Sequence, residues 1–355
     1  MDHEYVGNLH AHTLYSDGWA SHEAVAQAGL DAGLDFVITT DHNVWVEGLE
    51  GYYFSGPRKI LLLTGEEVHD AARDPQKNHL LVFGAAREVA ARAAQPQRLI
   101  DEVRTLGGLS FLAHPIDSPA TLFHEPDLSW VDWKVHDFTG IEIWNFMAHH
   151  KVWLQTWPIA ILASLFPTWF LRGPSPELLR IWDGALTSGK HWVAIGGADA
   201  HGLPVRLGPF RTVVFPYRFL FRTVNTHVLS EEPWTGQPDA DAGALYRALK
   251  SGHCFVGYDH DAPSRGFRFR AIDDRGTVPM GGSARARFGV TLQARAPRRS
   301  DLRLIRNGDL IRHWPDADSV VLVVHEPGSY RVEARLNSRG RLRPWIFSNP
   351  ITITR

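Results

Sequence analysis

Six short apolar segments, separated by stretches of helical character, constrain the fold of this chain more than any other feature. Each segment is rich in β-branched and large apolar residues and is bounded by Gly, Asp or Pro, which is typical of buried strands. They are residues 36–40, 60–64, 79–84, 109–113, 140–144 and 192–196. This alternation of strands and helices predicts an α/β fold with a parallel sheet, either open or closed into a barrel.

Two intervening helices have clear start and stop signals. Residues 21–30 predict a helix with Ser21 as N-cap and Gly33 as the stop. Residues 96–106 predict another, with Pro96 in its first turn and Gly107 just past its end. We expect both helices to pack against the sheet between successive strands.

From about residue 266 the pattern changes to consecutive strands with little helical signal. Apolar and charged residues alternate with a period of two in residues 330–336, which predicts a half-buried strand. Asn307 and Gly308 form a strong hairpin-turn signal. We therefore predict two domains, an α/β domain over residues 1–262 and an all-β sandwich over residues 263–355.

Charge and cysteine content exclude some classes of protein. The formal net charge of −2 argues against a protein that coats nucleic acid, and no nucleic-acid partner is expected. The lone cysteine, Cys254, cannot form an internal disulfide, which fits a reducing compartment. The amino terminus has neither a basic start nor an apolar signal core, so we predict a cytoplasmic protein.

Residues 152–171 contain no charged side chain and have about the length of a bilayer span. Gln155, Pro158 and Pro167 argue against a membrane-spanning helix. We predict an insertion of about residues 150–175 in the barrel, either buried or covering the substrate site as a lid. Packing against the sandwich or a second subunit, and contact with a membrane surface, are the alternatives.

Side chains able to bind metal ions collect where the predicted strands end. His10 and His12 are two apart, so an extended segment would point both to one face. The others are Asp41, His42, Glu66, Glu67, His114, Asp199 and His201, with Glu142 inside a strand. Strand ends in a parallel barrel meet at one mouth, and mixed His, Asp and Glu ligation suits Zn²⁺, Mn²⁺ or Fe²⁺. Carboxylates that bridge two ions support hydrolysis.

Each of these positions also has a structural interpretation. A single histidine after a strand, such as His114, is commonly a hydrogen-bonded structural residue. The side chain of Asp41 could form a hydrogen bond to the backbone of a turn, and Asp199 could be the N-cap of a helix. A metal cluster explains all of the positions together, whereas the structural interpretation requires a separate reason for each.

The order of six motifs resembles the PHP superfamily of polymerase-associated and histidinol-phosphatase-like domains. The motifs are HAHTLYSDG, TTDHN, GEEV followed by NHLLVFG, AHP, IEIWN and GGADAH, within residues 5–260. The resemblance implies a distorted (β/α)7 barrel with up to three metal ions at its carboxyl-terminal mouth. The appended β-sandwich, ending in WIFSNPITIT, resembles the branch of carbaryl-hydrolase-like metallohydrolases.

The resemblance also implies a ligand set. Its first ion would take His10, His12, Asp199 and a bridging glutamate, its second Asp17, His42 and His201, and its third the bridging glutamate, His79 and His114. The family's Gly-x-Glu pattern places Glu67 at the bridging position, and Glu66 would point to the other face of the strand. The third ion often takes another histidine, for which His149 and His150 are candidates, whereas Trp144 and Asn145 are expected to line the pocket wall.

We therefore predict a metal-dependent hydrolase, most simply a phosphoesterase, with two or three divalent ions and a hydroxide bridging two of them. Asp199 and His201 are the candidates for handling the nucleophile's proton. Arg206 and Arg211 are candidates for binding an anionic, possibly phosphorylated small molecule, although both could be surface residues. A carboxylester or carbamate hydrolase with a neutral substrate is the alternative enzyme, and a catalytically silent metal-binding scaffold is the alternative outside enzymes.

Overall fold

The computed structural model describes residues 3–207 and 210–355, and describes Leu207, Phe210 and Arg211 by their backbone alone. The strands of the first part are β1 (His3–Asn8), β2 (Phe36–His42), β3 (Gly51–Ser55), β4 (Arg58–Val68), β5 (Leu80–Phe83), β6 (Leu109–Leu112), β7 (Gly140–Asn145), β8 (Val193–Gly197), β9 (Leu203–Leu207), β10 (Phe210–Val214), β11 (Val224–Ser230) and β12 (Cys254–Tyr258). The helices are α1 (His22–Ala32), α2 (Pro96–Thr105), α3 (Phe146–Lys151), α4 (Trp157–Leu165), α5 (Pro176–Thr187), α6 (Tyr217–Leu220) and α7 (Pro238–Lys250). Short 3-10 turns lie at Ala90–Arg92, Thr121–Phe123 and Pro167–Trp169.

The two helices with clear end signals form where the sequence predicts them. The hydroxyl of Ser21 accepts the amide of Ala24 at 3.3 Å and so caps the start of α1. Gly33 ends the helix in the left-handed region with φ of 88°, which glycine adopts without a Cβ clash. Helix α2 begins at Pro96 as expected.

The sheet of the first part is mixed, and the strictly parallel arrangement is wrong at several strands. β1, β2 and β4 are parallel neighbours, as are β6, β7 and β8. β5 is antiparallel to both β4 and β6, and β3, which the sequence did not reveal, is antiparallel to β4. β4 joins β5 through a connection without a helix, and a chain that returns without a crossover pairs antiparallel. The mixed α/β class is confirmed.

The orientation of β5 affects the position of the candidate ligands. An antiparallel strand starts at the edge of the sheet where its neighbours end. His79, directly before β5, therefore lies at the same edge as Glu67 near the end of β4, and Glu67 pairs with Leu81 in the β4–β5 register. A histidine ahead of a strand thus joins side chains that follow other strands.

The remaining chain consists of strands, as predicted. They are β13 (Arg268–Asp273), β14 (Gly276–Pro279), β15 (Ser283–Arg285), β16 (Val290–Arg306), β17 (Asp309–Val324), β18 (Gly328–Ser338), β19 (Arg341–Ser348) and β20 (Ile351–Thr354). Asn307 and Gly308 connect β16 to β17 with φ of 52° and 92°, as a two-residue hairpin turn with positive φ at both positions requires. β19 pairs antiparallel with β12, so backbone hydrogen bonds run between the two parts.

A buried ion pair also joins the two parts. The guanidinium of Arg331 in β18 donates to both carboxylate oxygens of Asp183 in α5, at 2.7 and 2.8 Å. Its remaining Nη1 donates to Glu333 at 2.7 Å, and the Arg331 side chain is only 4% exposed. Removing one partner of such a pair leaves an uncompensated buried charge.

We expect Asp183→Ala to lower the free energy of unfolding by about 3–5 kcal/mol, because Arg331 would lose its bidentate partner inside the protein. Urea unfolding followed by circular dichroism measures this change. Asp316→Ala is the matched control, because Asp316 and its partner Arg299 are both exposed and their pair contributes little. Equal effects of the two substitutions would contradict a structural role for the buried pair.

The apolar insertion folds into short elements, α4 followed by the 3-10 turn Pro167–Trp169. Its large side chains are mostly exposed, which differs from the predicted burial. Among the described residues, none of the helices is both long and apolar enough to cross a bilayer.

Candidate metal centre

His10 and His12 follow β1 and point to the same side of the extended chain, as their spacing predicts. Both side chains are fully buried. Ala11, between them, forms an isolated parallel bridge with Ala200. The amide of His12 donates to the carbonyl of Ala200 at 2.9 Å, and the amide of Ala200 donates to the carbonyl of His10 at 3.2 Å. This backbone pairing brings the first histidine motif beside the segment that carries Asp199 and His201.

Asp41 has the structural role that the sequence left open for it. Its carboxylate accepts the amide and the hydroxyl of Thr13, each at 2.7 Å, and the hydroxyl of Ser16 at 2.7 Å. These bonds fix the loop between His12 and Gly18. Asp17 is carried by that loop, so Asp41 positions a candidate ligand and belongs to none of the metal-competent groups among the described side chains.

The carboxylate of Glu67 is the centre of the site. Oε2 lies 3.1 Å from His10 Nε2, 3.1 Å from His12 Nε2 and 3.3 Å from His42 Nδ1. Oε1 lies 2.9 Å from both His79 Nδ1 and His114 Nε2. Five imidazoles from four segments of the chain therefore surround one buried carboxylate, which is the position predicted for a bridging ligand.

Asp199 completes the first group of donor atoms. Its Oδ1 lies 3.3 Å from His10 Nε2 and 3.2 Å from His12 Nε2. These two nitrogens, Oδ1 of Asp199 and Oε2 of Glu67 form a compact set of four donors. The structure thus brings together the four side chains that the resemblance assigns to the first ion.

A second group surrounds Asp17 at the more exposed edge of the site. Oδ2 of Asp17 lies 3.3 Å from His201 Nε2 and 3.6 Å from His42 Nε2, and Oδ1 lies 3.5 Å from His12 Nδ1. Asp17 is 55% exposed, whereas the imidazoles are largely buried. This group contains the three side chains predicted for the second ion.

The third group consists of Glu67, His79 and His42. His114 lies beside it, because its Nε2 contacts the same oxygen of Glu67, Oε1, as His79 does. Together these residues include those predicted for the third ion and add His42 as a neighbour. The candidate histidines of the following helix lie outside this group. His149 directs Nδ1 to the carbonyl of Asn145 at 2.6 Å, and the ring of His150 packs against Phe146.

Two imidazole nitrogens at the centre of the site have no hydrogen bond to the described residues and are available to a divalent cation. His12 Nε2 and His42 Nδ1 are buried and make no acceptable hydrogen bond, although the Glu67 carboxylate lies within 3.3 Å of each. Ligands bound at about 2.0–2.1 Å to a tetrahedral ion lie about 3.3–3.4 Å apart. The nitrogen–oxygen separations of 3.1–3.3 Å in the first group match that spacing.

The electrostatics of the site also favour cations. Burial raises the pKa of Glu67, but the imidazoles of His10, His42 and His79 outweigh burial and hold that pKa well below its ordinary value. Burial lowers the pKa of His12, but the carboxylates of Asp199 and Glu67 raise it to about 10. The carboxylates are thus ionised in a buried position, and a bound cation would displace protons from the neighbouring imidazoles.

Two of the candidate ligands have unusual backbone conformations. His114 has φ of 27° and Asp199 has φ of 56°, both in the region that non-glycine residues seldom adopt. Such strain persists only where the surrounding contacts enforce it, and it is common at functional sites. Each residue lies two positions past the end of its strand, β6 or β8, and each belongs to the donor groups around Glu67.

Glu142 and Asn145 of β7 contact the candidate ligands, although neither belongs to the predicted ligand set. Glu142 lies 3.1 Å from His10 Nδ1, and the amide of Asn145 donates to Glu142 at 3.0 Å and to Asp199 at 3.3 Å. A register shift between Glu142 and Trp144 allows two residues three apart to face the same side. Trp144 is fully buried in the core and donates to the carbonyl of Arg172, so its predicted position in the pocket wall is wrong.

His69 is a further site residue that the sequence analysis missed. Its ring stacks on His79 with centroids 4.5 Å apart and meets the ring of His42 edge-on at 5.0 Å. Burial lowers its pKa to about 4, so the imidazole is neutral near pH 7. The available signal was its spacing of two from Glu67 along one extended strand.

The two arginines predicted to bind substrate lie on the β9–β10 hairpin, where Arg206 pairs with Arg211 in the backbone register. Arg206 is exposed. The side chain of Arg211 lies outside the described residues. Their predicted contact with an anionic substrate stays a prediction.

Glu142 explains how His10 can present one nitrogen to a cation. A carboxylate near Nδ1 accepts a hydrogen bond from the Nδ1 proton and so leaves the lone pair of Nε2 for a metal ion, the arrangement that orients histidine ligands in metal sites. We expect Glu142→Gln to weaken metal affinity about 10–100-fold. Competition with a chelating dye on metal-free protein measures this, with Glu102→Gln, at an exposed salt bridge, as the control. An unchanged affinity would contradict the positioning role.

Glu66 faces away from the site, as strand alternation predicts, and accepts the amide of Val89 at 3.1 Å. Burial raises its pKa from 4.5 to about 7. The folded state therefore holds this proton more tightly than the unfolded chain, and stability is lost as the pH rises from about 4.5 to 7. We expect Glu66→Gln to be more stable than the native protein by about 1–2 kcal/mol above pH 7, and this advantage to vanish below about pH 5. Unfolding curves at both pH values test it, and a constant difference would contradict it.

Neither a protein-family model nor a curated protein matches this chain. Two solved structures align with it. A two-domain protein from Bacteroides vulgatus ATCC 8482, containing a predicted PHP-like metal-dependent phosphoesterase, is 15% identical with a TM-score of 0.44, over 98% of this chain and 95% of that chain. A protein from Bifidobacterium adolescentis ATCC 15703, provisionally described as a metal-dependent phosphoesterase, is 16% identical with a TM-score of 0.35, over 59% of this chain and 92% of that chain.

The description of the first structure names the superfamily that the sequence motifs resemble. Neither structure bears on the carbaryl-hydrolase-like branch. Because both identities are this low and both TM-scores lie below 0.5, the activity of this chain is inferred from its own side chains.

Proposed function

We propose that this chain is a PHP-like metal-dependent hydrolase that cleaves phosphate esters. One observation carries the proposal. The buried carboxylate of Glu67 is surrounded by five imidazoles, with two oxygens directed at different groups of nitrogens. A carboxylate shared in this way suits neighbouring divalent ions better than a single ion. We assign the strands around this site to the distorted (β/α)7 barrel and the later strands to a β-sandwich.

His10, His12, Glu67 and Asp199 would hold one ion, Asp17, His42 and His201 a second, and Glu67, His79 and His114 a third. Mixed imidazole and carboxylate donors select Zn²⁺, Mn²⁺ or Fe²⁺. Divalent ions bound there would activate water for attack on an ester and neutralise negative charge on the reacting group.

The side chains of the site hold the donor atoms in place and determine which atoms carry protons. Burial raises the pKa of Asp199, but the imidazoles around it hold that pKa well below the ordinary value, so its carboxylate is a ligand and a weak base. His201 places Nδ1 2.9 Å from the carbonyl of Asp199, which directs the Nδ1 proton to that oxygen and leaves Nε2 facing Asp17. His201 is 19% exposed, so it is the candidate that both touches the donor groups and reaches solvent.

The surroundings favour a substrate that carries negative charge. The more exposed edge of the site carries the imidazoles of His42 and His201 beside Asp17, and bound ions would add positive charge at that edge. Ions held there would supply positive charge to the phosphate oxygens of such a substrate. A neutral carboxylic ester or carbamate would gain less from this charge.

The first test is metal content. We expect protein purified without a histidine tag to carry two or three equivalents of Mn, Fe or Zn by elemental analysis, and Glu67→Gln to lose most of it. Glu66→Gln is the matched control, because it removes the adjacent carboxylate from the other face of β4. Metal-free native protein that cannot be reconstituted would overturn the proposal and favour a structural cluster.

The second test is substrate class, with the reconstituted protein and three nitrophenyl esters. We expect hydrolysis of bis-nitrophenyl phosphate or nitrophenyl phosphate that depends on metal and on Glu67. Faster hydrolysis of nitrophenyl acetate than of either phosphate would assign the chain to carboxylester hydrolases. Full metal loading with no hydrolysis of any ester would favour the silent scaffold.

A further inference from the structure

The insertion after β7 exposes an unusual concentration of large apolar side chains. We define the apolar surface as Trp157, Ile161, Leu162, Leu165, Phe166 and Trp169, each 49–66% exposed. Helix α4 buries only its small residues Ala160 and Ala163. A helix packed on a globular core normally buries its large residues and exposes polar ones, so this helix is oriented in the opposite way.

The exposed residues form one continuous face. Trp157, Ile161 and Leu165 follow one another at intervals of four, which aligns them along one side of α4. The 3-10 turn Pro167–Trp169 continues the face, and the ring of Phe123 meets Trp157 edge-on at 5.9 Å. Contiguous apolar surface of this kind marks a contact with a partner or a membrane.

Positive charge lies beside this face, and the exposed Glu125 near Phe123 is paired with Lys151 at 2.8 Å. Residues 152–171 contain no charged side chain. Arg172 follows them, exposed, with its guanidinium 4.7 Å from the ring centre of Trp153. Arg339 and Arg343 donate to the hydroxyl and the carbonyl of Thr168, which packs the turn between β18 and β19 against the 3-10 turn.

That turn adds further positive charge and apolar area beside the surface. Arg341 is exposed, and Leu342 next to it is 45% exposed. The acidic group that faces this turn is Asp261, 3.9 Å from Arg339 and 3.8 Å from Arg343, and its side chain is only 5% exposed. Among the described residues, Arg172 and Arg341 form no salt bridge, so both present positive charge to whatever covers the apolar surface.

We propose that the apolar surface binds the interface of a bilayer containing anionic phospholipids. Tryptophan, phenylalanine and leucine on one face enter the boundary between head groups and acyl chains, and flanking arginines bind the lipid phosphates. α4 has nine residues, too few to cross a bilayer, so the protein rests on the membrane surface.

A second copy of the chain fits this surface less well. A twofold contact through the apolar surface would place the uncharged residues 152–171 of one copy against those of the other, and this surface offers no carboxylate to Arg172 or Arg341. Anionic lipid supplies the opposite charge to the same residues. The membrane contact is independent of the proposed hydrolysis, although α3 and a short connection alone separate the apolar surface from Asn145 of the metal centre.

Flotation of the full-length protein with lipid vesicles tests the proposal. We expect the protein to float with vesicles of phosphatidylcholine mixed with phosphatidylglycerol, and to bind pure phosphatidylcholine vesicles much less. Leu165→Glu should weaken binding by about tenfold or more, because an exposed leucine would no longer enter the bilayer. Arg341→Gln should weaken binding to the anionic vesicles and reduce its dependence on salt.

Phe288→Gln is the matched control, because Phe288 is 74% exposed on the loop before β16 and should leave vesicle binding unchanged. All three substituted positions are at the surface, and circular dichroism verifies the fold of each variant. Absence of flotation with anionic vesicles at low salt would overturn the proposal. Dimerisation in ultracentrifugation that Leu165→Glu abolishes, without vesicle binding, would overturn it in favour of a second copy.

Discussion

The burial of one ionised carboxylate, that of Glu67, determines much of the architecture around it. A charge in the interior is tolerated only when opposite charge or metal surrounds it. Here imidazoles reach it from the segments after β1, β2 and β6 and from the segment before β5. Those segments must all end at one edge of the sheet, so the positions of the strand ends and the chemistry of the centre depend on each other.

The contacts around the donor groups are as specific as the groups themselves. Asp41 fixes the loop that carries Asp17, and Glu142 and Asn145 link His10 to Asp199 across the sheet. The register shift in β7 places Glu142 and Asn145 on one face. Strain at His114 and Asp199 is supported by this network, since backbone conformations of that kind survive only when neighbouring contacts enforce them.

The candidate metal centre and the apolar surface on α4 lie close together in the chain. β7 ends at Asn145, whose side chain caps α3 by accepting the amide of Ala148 and also contacts Asp199. The apolar surface follows α3 after a short connection. The second part is held to the first by the β12–β19 pairing and by the Asp183–Arg331 pair, and its β18–β19 turn contributes the arginines beside the apolar surface. Contact with lipid would thus orient the metal centre relative to a membrane.

The sequence by itself determined the α/β class, the limits of α1 and α2, the Asn307–Gly308 hairpin and the side chains that could meet at strand ends, because those signals are local: periodicity, caps, turn residues and spacing. The antiparallel direction of β5, the register shift that brings in Glu142, the approach of His69 and the exposure of α4 were decided only by the tertiary structure. Each depends on which segments become neighbours, and local patterns do not contain that information. A residue's spacing predicts the face it occupies, whereas the fold decides what that face meets.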